Sequence, residues 1–443
     1  MSPSTDSKAH HKQQLRKARF GWCMYDWANS AYATVGLAAV LPVYIAGLVP
    51  EQGAHLELFG FSRTISATVL WGYAVSCSMI LVALSAPWLG ALADRRGRRR
   101  QWLLYLTLSG STAMALLILA GPGRYLLAAG LFIVANVSFA AGNIFYNAFL
   151  TVLADGPEMD TLSARGFAYG YLGGGLALLM VFALISFPAF FGLPDAGMAA
   201  RVGFLLTGVW WALFSLPTFR YLREDLPQQR PSSLPAGWRG YLRAFAEIRR
   251  YPDLLRFLVA FLFYNDGIQT IIVVAAIFAR EELGLSQTSI LGCFLMIQFV
   301  AMPGALLFGR IARRFGARQA ILISLLLFIL VTIYAYRIQH NWEFWLLSLV
   351  VALILGGSQS VSRSLYGSLI PPGKGAEFFG FYAISGKFAS IIGPFSFALI
   401  ADLTGSTRLS ILALTVFFAV GIILLGTVNM ERGRRIGRGE SFS

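Results

Sequence analysis

Twelve long apolar runs constrain this chain more than any other feature. A helix needs about 20 apolar residues to cross the hydrocarbon core of a bilayer. Runs near 20–48, 66–92, 101–121, 125–153, 164–188, 201–220, 254–280, 287–309, 319–337, 342–371, 378–402 and 407–429 qualify. They are continuous, whereas a membrane barrel shows alternating segments of about ten residues, so they predict helices and not membrane-spanning strands. Charge supports the same reading. Only 13% of the residues are charged and 57% are hydrophobic, against roughly 25% charged in soluble globular chains. So little charge cannot cover a water-facing surface, and lipid needs no such cover. The expected fold is all-α, a polytopic membrane protein of twelve transmembrane helices.

Lysine and arginine are shared unevenly among the connections. One alternate set holds Lys8, Lys12, Arg16, Lys17 and Arg19, then Arg95–Arg100, the segment 220–256, Arg310, Arg313, Arg314 and Arg318, and Arg432–Arg438. The other set holds one each: Arg63, Arg124, Arg201, Arg280, Arg337 and Arg408. That bias places both termini in the cytoplasm, as an even number of spans requires. The net charge of +15 is thus read as a topology signal. No basic domain with interleaved aromatics points to nucleic acid. Residues 1–19 are expected to form a cytoplasmic tail, 20–220 and 254–429 two six-helix bundles, 221–253 a cytoplasmic linker and 430–443 a second tail. Within the linker, 241–250 reads either as a basic amphipathic helix on the anionic leaflet or as a plain solvated stretch. No apolar core with a cleavage site precedes Arg19, so no cleavable signal peptide is expected. Cys23, Cys77 and Cys293 lie in apolar segments, and His10, His11, His55 and His340 in tail or loops. None has metal-ligand spacing, so no metal or other cofactor is expected. A membrane enzyme would need a nucleophile, an acid–base dyad or a metal site, and the sequence offers none. No phosphate-binding G-x-x-x-x-G-K-[ST] motif is present either, so ATP is not the expected energy source.

The two halves carry the same features in the same order. Asp26 precedes Asn29 by three residues on the first run, and Asp266 precedes Gln269 by three on the seventh. The connection after the second run has Gly90, Asp94, Arg95, Gly97 and Arg98; that after the eighth has Gly309, Arg313, Arg314, Gly316 and Arg318. Asn143 and Asn147 on the fourth run correspond to Gln359 and Arg363 on the tenth. Three such matches in register predict a parallel internal repeat, hence two pseudo-symmetric bundles.

Gly90, Asp94, Arg95, Gly97, Arg98 and Arg99 match the pattern G-x-x-x-D-R-x-G-R-[RK], which resembles the signature loop of the major facilitator superfamily. Three further stretches resemble its vacuole-effluxer-like branch: Tyr25-Asp26-Trp27-Ala28-Asn29-Ser30-Ala31-Tyr32, Gly356 to Tyr366 around Gln359 and Arg363, and Glu377 to Tyr382 followed by Ser385-Gly386-Lys387. The resemblance covers nearly the whole chain. It implies a monomeric secondary transporter working by alternating access, and points to amino acids through the fungal exporter that gives the branch its name. Sugars, nucleosides or other metabolites, by uniport or symport, stay open beside that.

A charge at the bilayer centre costs about 2.5–3.5 kcal/mol on insertion scales, so buried polar groups mark a cavity or a partner. The resemblance implies that the first, fourth, seventh and tenth helices line a central cavity. The candidate substrate ligands on them are Asp26, Asn29, Asn143, Asn147, Asn265, Asp266, Gln269, Gln359 and Arg363. Carboxylate plus guanidinium suits a zwitterion. Asp26 and Asp266 are the candidates for proton coupling. Gly90, Asp94, Arg95, Gly97, Arg98 and Lys387 are the candidate gate. Asp26, Arg363 and Lys387 could instead form an internal ion-pair lock; the sequence leaves both readings open. The expected partners are a small solute, the lipid bilayer and protons. The expected location is the cell (inner) membrane, with a vacuolar membrane as the alternative.

Overall fold

The computed structural model describes residues 5–58, 61–96, 98–223, 246, 248–388, 392–437 and 440. Each of the twelve apolar runs is helical. The first span runs Thr5–Ala31, continues as a π-helix over Tyr32–Ala39 and resumes at Leu41–Leu48 after a 44° bend. At the break the Val40 N–H reaches back to the Val35 carbonyl, and Pro42, without an N–H, opens the next piece. The second to sixth spans are Ala67–Arg96, Arg99–Leu116, Tyr125–Ala148 extended by Leu150–Leu153, Pro157–Ser186, and Ala196–Phe214 extended by Leu216–Tyr221. The seventh to twelfth are Pro252–Leu283, Gln287–Phe315, Ala317–Ala335, Asn341–Leu369, Gly375–Phe388 with Ile392–Thr404, and Thr407–Gly426. A short C-terminal helix, Met430–Gly437, follows. Its Arg432 donates from Nε and NH2 to Asp253, in the first turn of the seventh span and only 1% exposed. The Asn429 N–H donates to the same carboxylate at 3.0 Å. Among the described residues, nine helices are individually long and apolar enough to cross a membrane, and the bent first pair makes a tenth. The second and eleventh spans contribute the shorter apolar helices Val69–Ser85 and Ile392–Thr404.

The ends of these helices follow local chemistry. Asp195, Ser286 and Ser406 each accept a backbone N–H three residues on, capping the sixth, eighth and twelfth spans. Gly284, at φ +62°, closes the seventh span in the left-handed region. Large apolar side chains are left on outer faces, with Leu403 74% and Ile423 68% exposed. This fits helices solvated by lipid.

The chain forms two compact units. One comprises Met1–Ser85, Arg98–Tyr146 and Leu172–Glu224; the other comprises Ala86–Gly97, Asn147–Tyr171 and Asp225–Ser443. The core of the first gathers Tyr32, Val35, Met114, Phe132, Phe204 and Trp211. In the second, Val274, Phe278, Ile338 and Phe344 are among the residues that cluster. The second unit thus takes in the end of the fourth span and the first half of the fifth.

Three details depart from the sequence reading. Residues 5–19 of the expected tail are helical, continuous with the first span. The fifth span starts at Pro157, not near 164. Between the first and second spans an antiparallel hairpin pairs β1, Ala54–Leu58, with β2, Phe61–Ile65. Ala54 and Ile65 are buried while His55 and Thr64 are exposed, the period-two alternation of a half-buried ribbon. Most of the 221–253 linker, including most of its basic stretch over 241–250, lies outside the described residues.

Candidate functional site

In the first unit, Asp26 and Asn29 lie one helical turn apart on the first span. The Tyr146 hydroxyl donates to Asp26 Oδ2 at 2.7 Å. The Tyr146 ring stacks on both Trp22, with centroids 4.5 Å apart, and Tyr25, 4.9 Å away. Trp22 Nε1–H donates to the Tyr146 carbonyl at 2.9 Å. The aromatic stack fixes the phenol, and the phenol fixes the carboxylate. One turn on, Asn29 Nδ2–H donates to Asn143 Oδ1 at 2.8 Å. Asp26 is half-buried and Asn29 buried. Asn29 of the first span and Asn143 of the fourth therefore meet, and Tyr146 of the fourth span joins Asp26.

In the second unit the fifth span lays one face along the tenth. Asp160, Ser163, Phe167 and Tyr171 recur at steps of three and four, a single helical stripe. Ser364 Oγ donates to Asp160 Oδ1 at 2.5 Å. Ser163 Oγ donates to the Ser360 carbonyl at 2.7 Å. Arg363 donates from Nε to Ser163 Oγ and from NH2 to the Ser163 carbonyl, both at 2.9 Å. Its guanidinium carbon lies 4.2 Å from the centroid of Phe167, within cation–π range. Tyr171 donates to Gln359 Oε1 at 2.9 Å. Arg363 NH1 also reaches Asn147 Oδ1 at 3.4 Å, 216 residues away. Those two positions correspond in the internal repeat, so the repeat brings its own equivalents together. A guanidinium buried to 3% exposure is tolerable because each bond to a charged donor contributes about 1.5–3 kcal/mol.

On the seventh span Asp266 has no exposed surface. Its Oδ1 accepts the Gly393 N–H of the eleventh span at 2.9 Å, and its Oδ2 has no hydrogen-bond partner among the described residues. Gly393 is required there: a Cβ would run into the Thr270 hydroxyl and stand 2.7 Å from Asp266 Oδ1. Asn265 is buried and Gln269 half-buried. Asp266 thus faces the eleventh span and shares no hydrogen bond with Gln359 or Arg363 among those described.

Gly90 of the predicted gate packs on the start of the eleventh span, where a Cβ would lie 2.5 Å from the Ala376 carbonyl oxygen. Arg98 is exposed, just before the third span. Gly97 and the side chains of Asp94, Arg95 and Lys387 lie outside the described residues.

Asp160, Ser163 and Tyr171 are absent from the sequence-derived list. Pro157 followed by Glu158 and Asp160 is a helix-start signature, with proline in the first turn and acids at the positive end. It would have set the fifth span seven residues earlier and made Asp160 and Ser163 intramembrane polar residues.

Residues 14–437 match the family model described as vacuole effluxer Atg22 like. The MFS-type transporter YxiO of Bacillus subtilis is 31% identical over 421 residues, covering 95% of this chain and 96% of that protein. Autophagy-related protein 22 of Pyricularia oryzae is 26% identical, covering 94% of this chain and 76% of its own length. Among solved structures, the human organic anion transporter MFSD10 superposes with a TM-score of 0.72 at 17% identity, covering 93% of this chain and 99% of its own. The major facilitator transporter FucP in its outward conformation gives 0.68 at 13% identity, covering 94% and 98%. At such identities the structural matches speak for the fold, that of a polytopic major facilitator protein.

Proposed function

The chain belongs to the vacuole effluxer Atg22-like family of major facilitator transporters, and from that premise we propose that it moves a small zwitterionic solute, of the amino-acid class, by alternating access. The observation that carries the reading is the Asp26 carboxylate, half-buried within an apolar span and aimed by Tyr146. In this reading the carboxylate receives the solute's ammonium group, the charge that matches its own. Asn29 and Asn143 offer neutral donors and acceptors beside it.

Arg363 serves as a lock in this reading. Its bonds to Ser163 and its stack on Phe167 stabilise the arrangement in which the fifth and tenth spans touch, and are lost when they part. A contact present in one state and absent in the other is what biases an alternating equilibrium. Asp266, whose Oδ2 has no hydrogen-bond partner among the described residues, is the proton carrier: protonation removes a buried charge and lets the seventh and eleventh spans separate. The basic loops face the cytoplasm, the protein resides in the cell membrane, and it works as a monomer.

The test is thermal stabilisation of the purified protein by amino acids, dipeptides, nucleosides, sugars and polyols. A ligand selective for the native state raises apparent stability. Stabilisation by one amino-acid class, abolished in Asp26→Asn, supports the proposal. Stabilisation by sugars or nucleosides alone discards the zwitterion reading while keeping the transporter.

A further inference from the structure

We propose that Tyr32 and Trp211 form the carboxylate-binding half of the solute site: their O–H and N–H groups receive the oxygen end of the zwitterion whose ammonium Asp26 holds. The inference rests on the amino-acid reading above, which leaves the carboxylate unassigned because Arg363 is engaged in the lock.

Tyr25, Asn29 and Tyr32 recur at steps of four and three, one stripe of the first span. Asp26 flanks the N-terminal end of that stripe. The Tyr25 ring stacks on Tyr146, which holds Asp26. Asn29 donates to Asn143. Tyr32 stacks on Trp211 of the sixth span, with centroids 5.4 Å apart, and Phe139 of the fourth span lies 5.2 Å from Tyr32. The stripe that meets the ammonium site at one end thus carries this aromatic pair at the other. Glycines fix both rings. A Cβ on Gly36 would stand 2.8 Å from the Tyr32 ring, and one on Gly110 of the third span would run into Trp211.

Inside this apolar wrapping two polar atoms are left over. Tyr32 Oη and Trp211 Nε1 are buried and have no hydrogen-bond partner among the described residues, and neither residue has exposed surface. Packing needs the rings and not these two groups, and a buried donor without an acceptor is costly. An indole N–H can only donate, and a phenol O–H donates as readily, so an acceptor completes the pair. A carboxylate takes both bonds at once, each strengthened by its charge. The spacing agrees. Tyr32 stands six residues after Asp26, about 9 Å of helix rise. Two hydrogen bonds of about 2.8 Å with a short zwitterion between them fill such a gap. The way in is marked as well. Tyr32 is the first residue of the π-helix Tyr32–Ala39, and such segments recur at functional sites. The turn whose re-winding uncovers the pair is the one that already departs from α geometry.

The experiment is thermal stabilisation of the purified full-length protein by the common amino acids, each run beside its decarboxylated amine and its deaminated acid. The parent is expected to bind an amino acid at least about tenfold more tightly than the matching amine, the worth of a hydrogen bond to a charged acceptor. Tyr32→Phe and Trp211→Phe keep aromatic rings. Each should erase that preference while binding the amine as the parent does. Asp26→Asn should do the converse, erasing the preference for amino acid over acid and sparing that over amine. Without solute, Tyr32→Phe should melt no lower than the parent, because its hydroxyl has no bond to lose. An undiminished preference for the carboxylate in either phenylalanine variant overturns the proposal. So does a marked drop in the solute-free melting temperature of Tyr32→Phe, which would mean that ordered water already completes the hydroxyl. If Trp211→Phe fails to fold, Tyr32→Phe decides alone. Failures of the two half-sites are told apart by the parent. Stabilisation by acids and not amines, lost in the phenylalanine variants, keeps the carboxylate site and discards the ammonium site at Asp26. Stabilisation by amines as strong as by amino acids keeps Asp26 and discards the carboxylate site, and stabilisation by none of the three discards both.

Discussion

At the scale of single residues, the first unit converts aromatic packing into electrostatics. Tyr146 is stacked on Trp22 and Tyr25, and its hydroxyl points at Asp26. Tyr146→Phe keeps the stack and removes one hydrogen bond to a charged acceptor, worth about 1.5–3 kcal/mol. Solute affinity, read from the concentration dependence of thermal stabilisation, is expected to fall by at least about tenfold, a loss of 1.36 kcal/mol. The melting temperature without solute should fall by no more than a few degrees; a drop in melting temperature with unchanged solute affinity would make Tyr146 a packing residue only. Asp266 belongs to the same scale but acts differently. Asp266→Asn keeps the size and an acceptor for the Gly393 N–H and removes the titratable group. Flux driven by a pH gradient in proteoliposomes is expected to vanish while counterflow of solute persists. Undiminished proton-driven flux would take Asp266 out of the coupling mechanism.

At the scale of elements, contacts between helices are set by stripes and by glycines. The Asp160–Ser163–Phe167–Tyr171 face of the fifth span meets Ser364, Arg363, Ser360 and Gln359 of the tenth. Ser163→Ala removes the acceptor for Arg363 Nε and leaves a buried donor unsatisfied. Such a loss costs about 1–3 kcal/mol. Ser360 has no exposed surface, so maleimide labelling of a Ser360→Cys reporter in an otherwise cysteine-free protein should be faster in that variant. Gly90→Val would force the second span off the Ala376 backbone, since a backbone atom cannot move aside as a side chain does. Turnover should fall with solute affinity unchanged, measured as initial rate against binding in the same preparation.

The elements also show what the sequence makes legible. Span existence was readable throughout, because about 20 apolar residues have few other stable fates. Asn29, Asn143, Asn147 and Arg363 stood out by residue type and by the repeat, but that Asn29 meets Asn143 and Asn147 meets Arg363 could not be read. Span boundaries were less legible, and that hid Asp160 and Ser163: hydropathy fades over a polar first turn although the helix continues. The direction of Asp266 could not be read either. Periodicity gives a helix face, but which neighbour covers it depends on packing, here the approach of Gly393. The β1–β2 hairpin escaped because two five-residue strands leave little signal beside long apolar runs.

At the scale of the whole molecule, twelve spans and the arginine bias make a topological prediction. Fluorescent reporters fused to either terminus should both light up in the cytoplasm, whereas a reporter inserted beside Arg124 or Arg201 should face the other side. A reporter dark at one terminus would remove the even count of crossings.

One buried pair reaches beyond transport. Asp253 opens the seventh span, yet the residues that satisfy it, Asn429 and Arg432, stand 176 and 179 positions downstream. During synthesis the seventh span is made, and ready to enter the bilayer, while its first-turn carboxylate still waits for a counter-charge. A buried carboxylate without its partner is strongly destabilising, so that end stays hydrated until Asn429 and Arg432 have been made. A chain cut before Asn429 would therefore carry all twelve hydrophobic spans and still leave that carboxylate without Asn429 and Arg432.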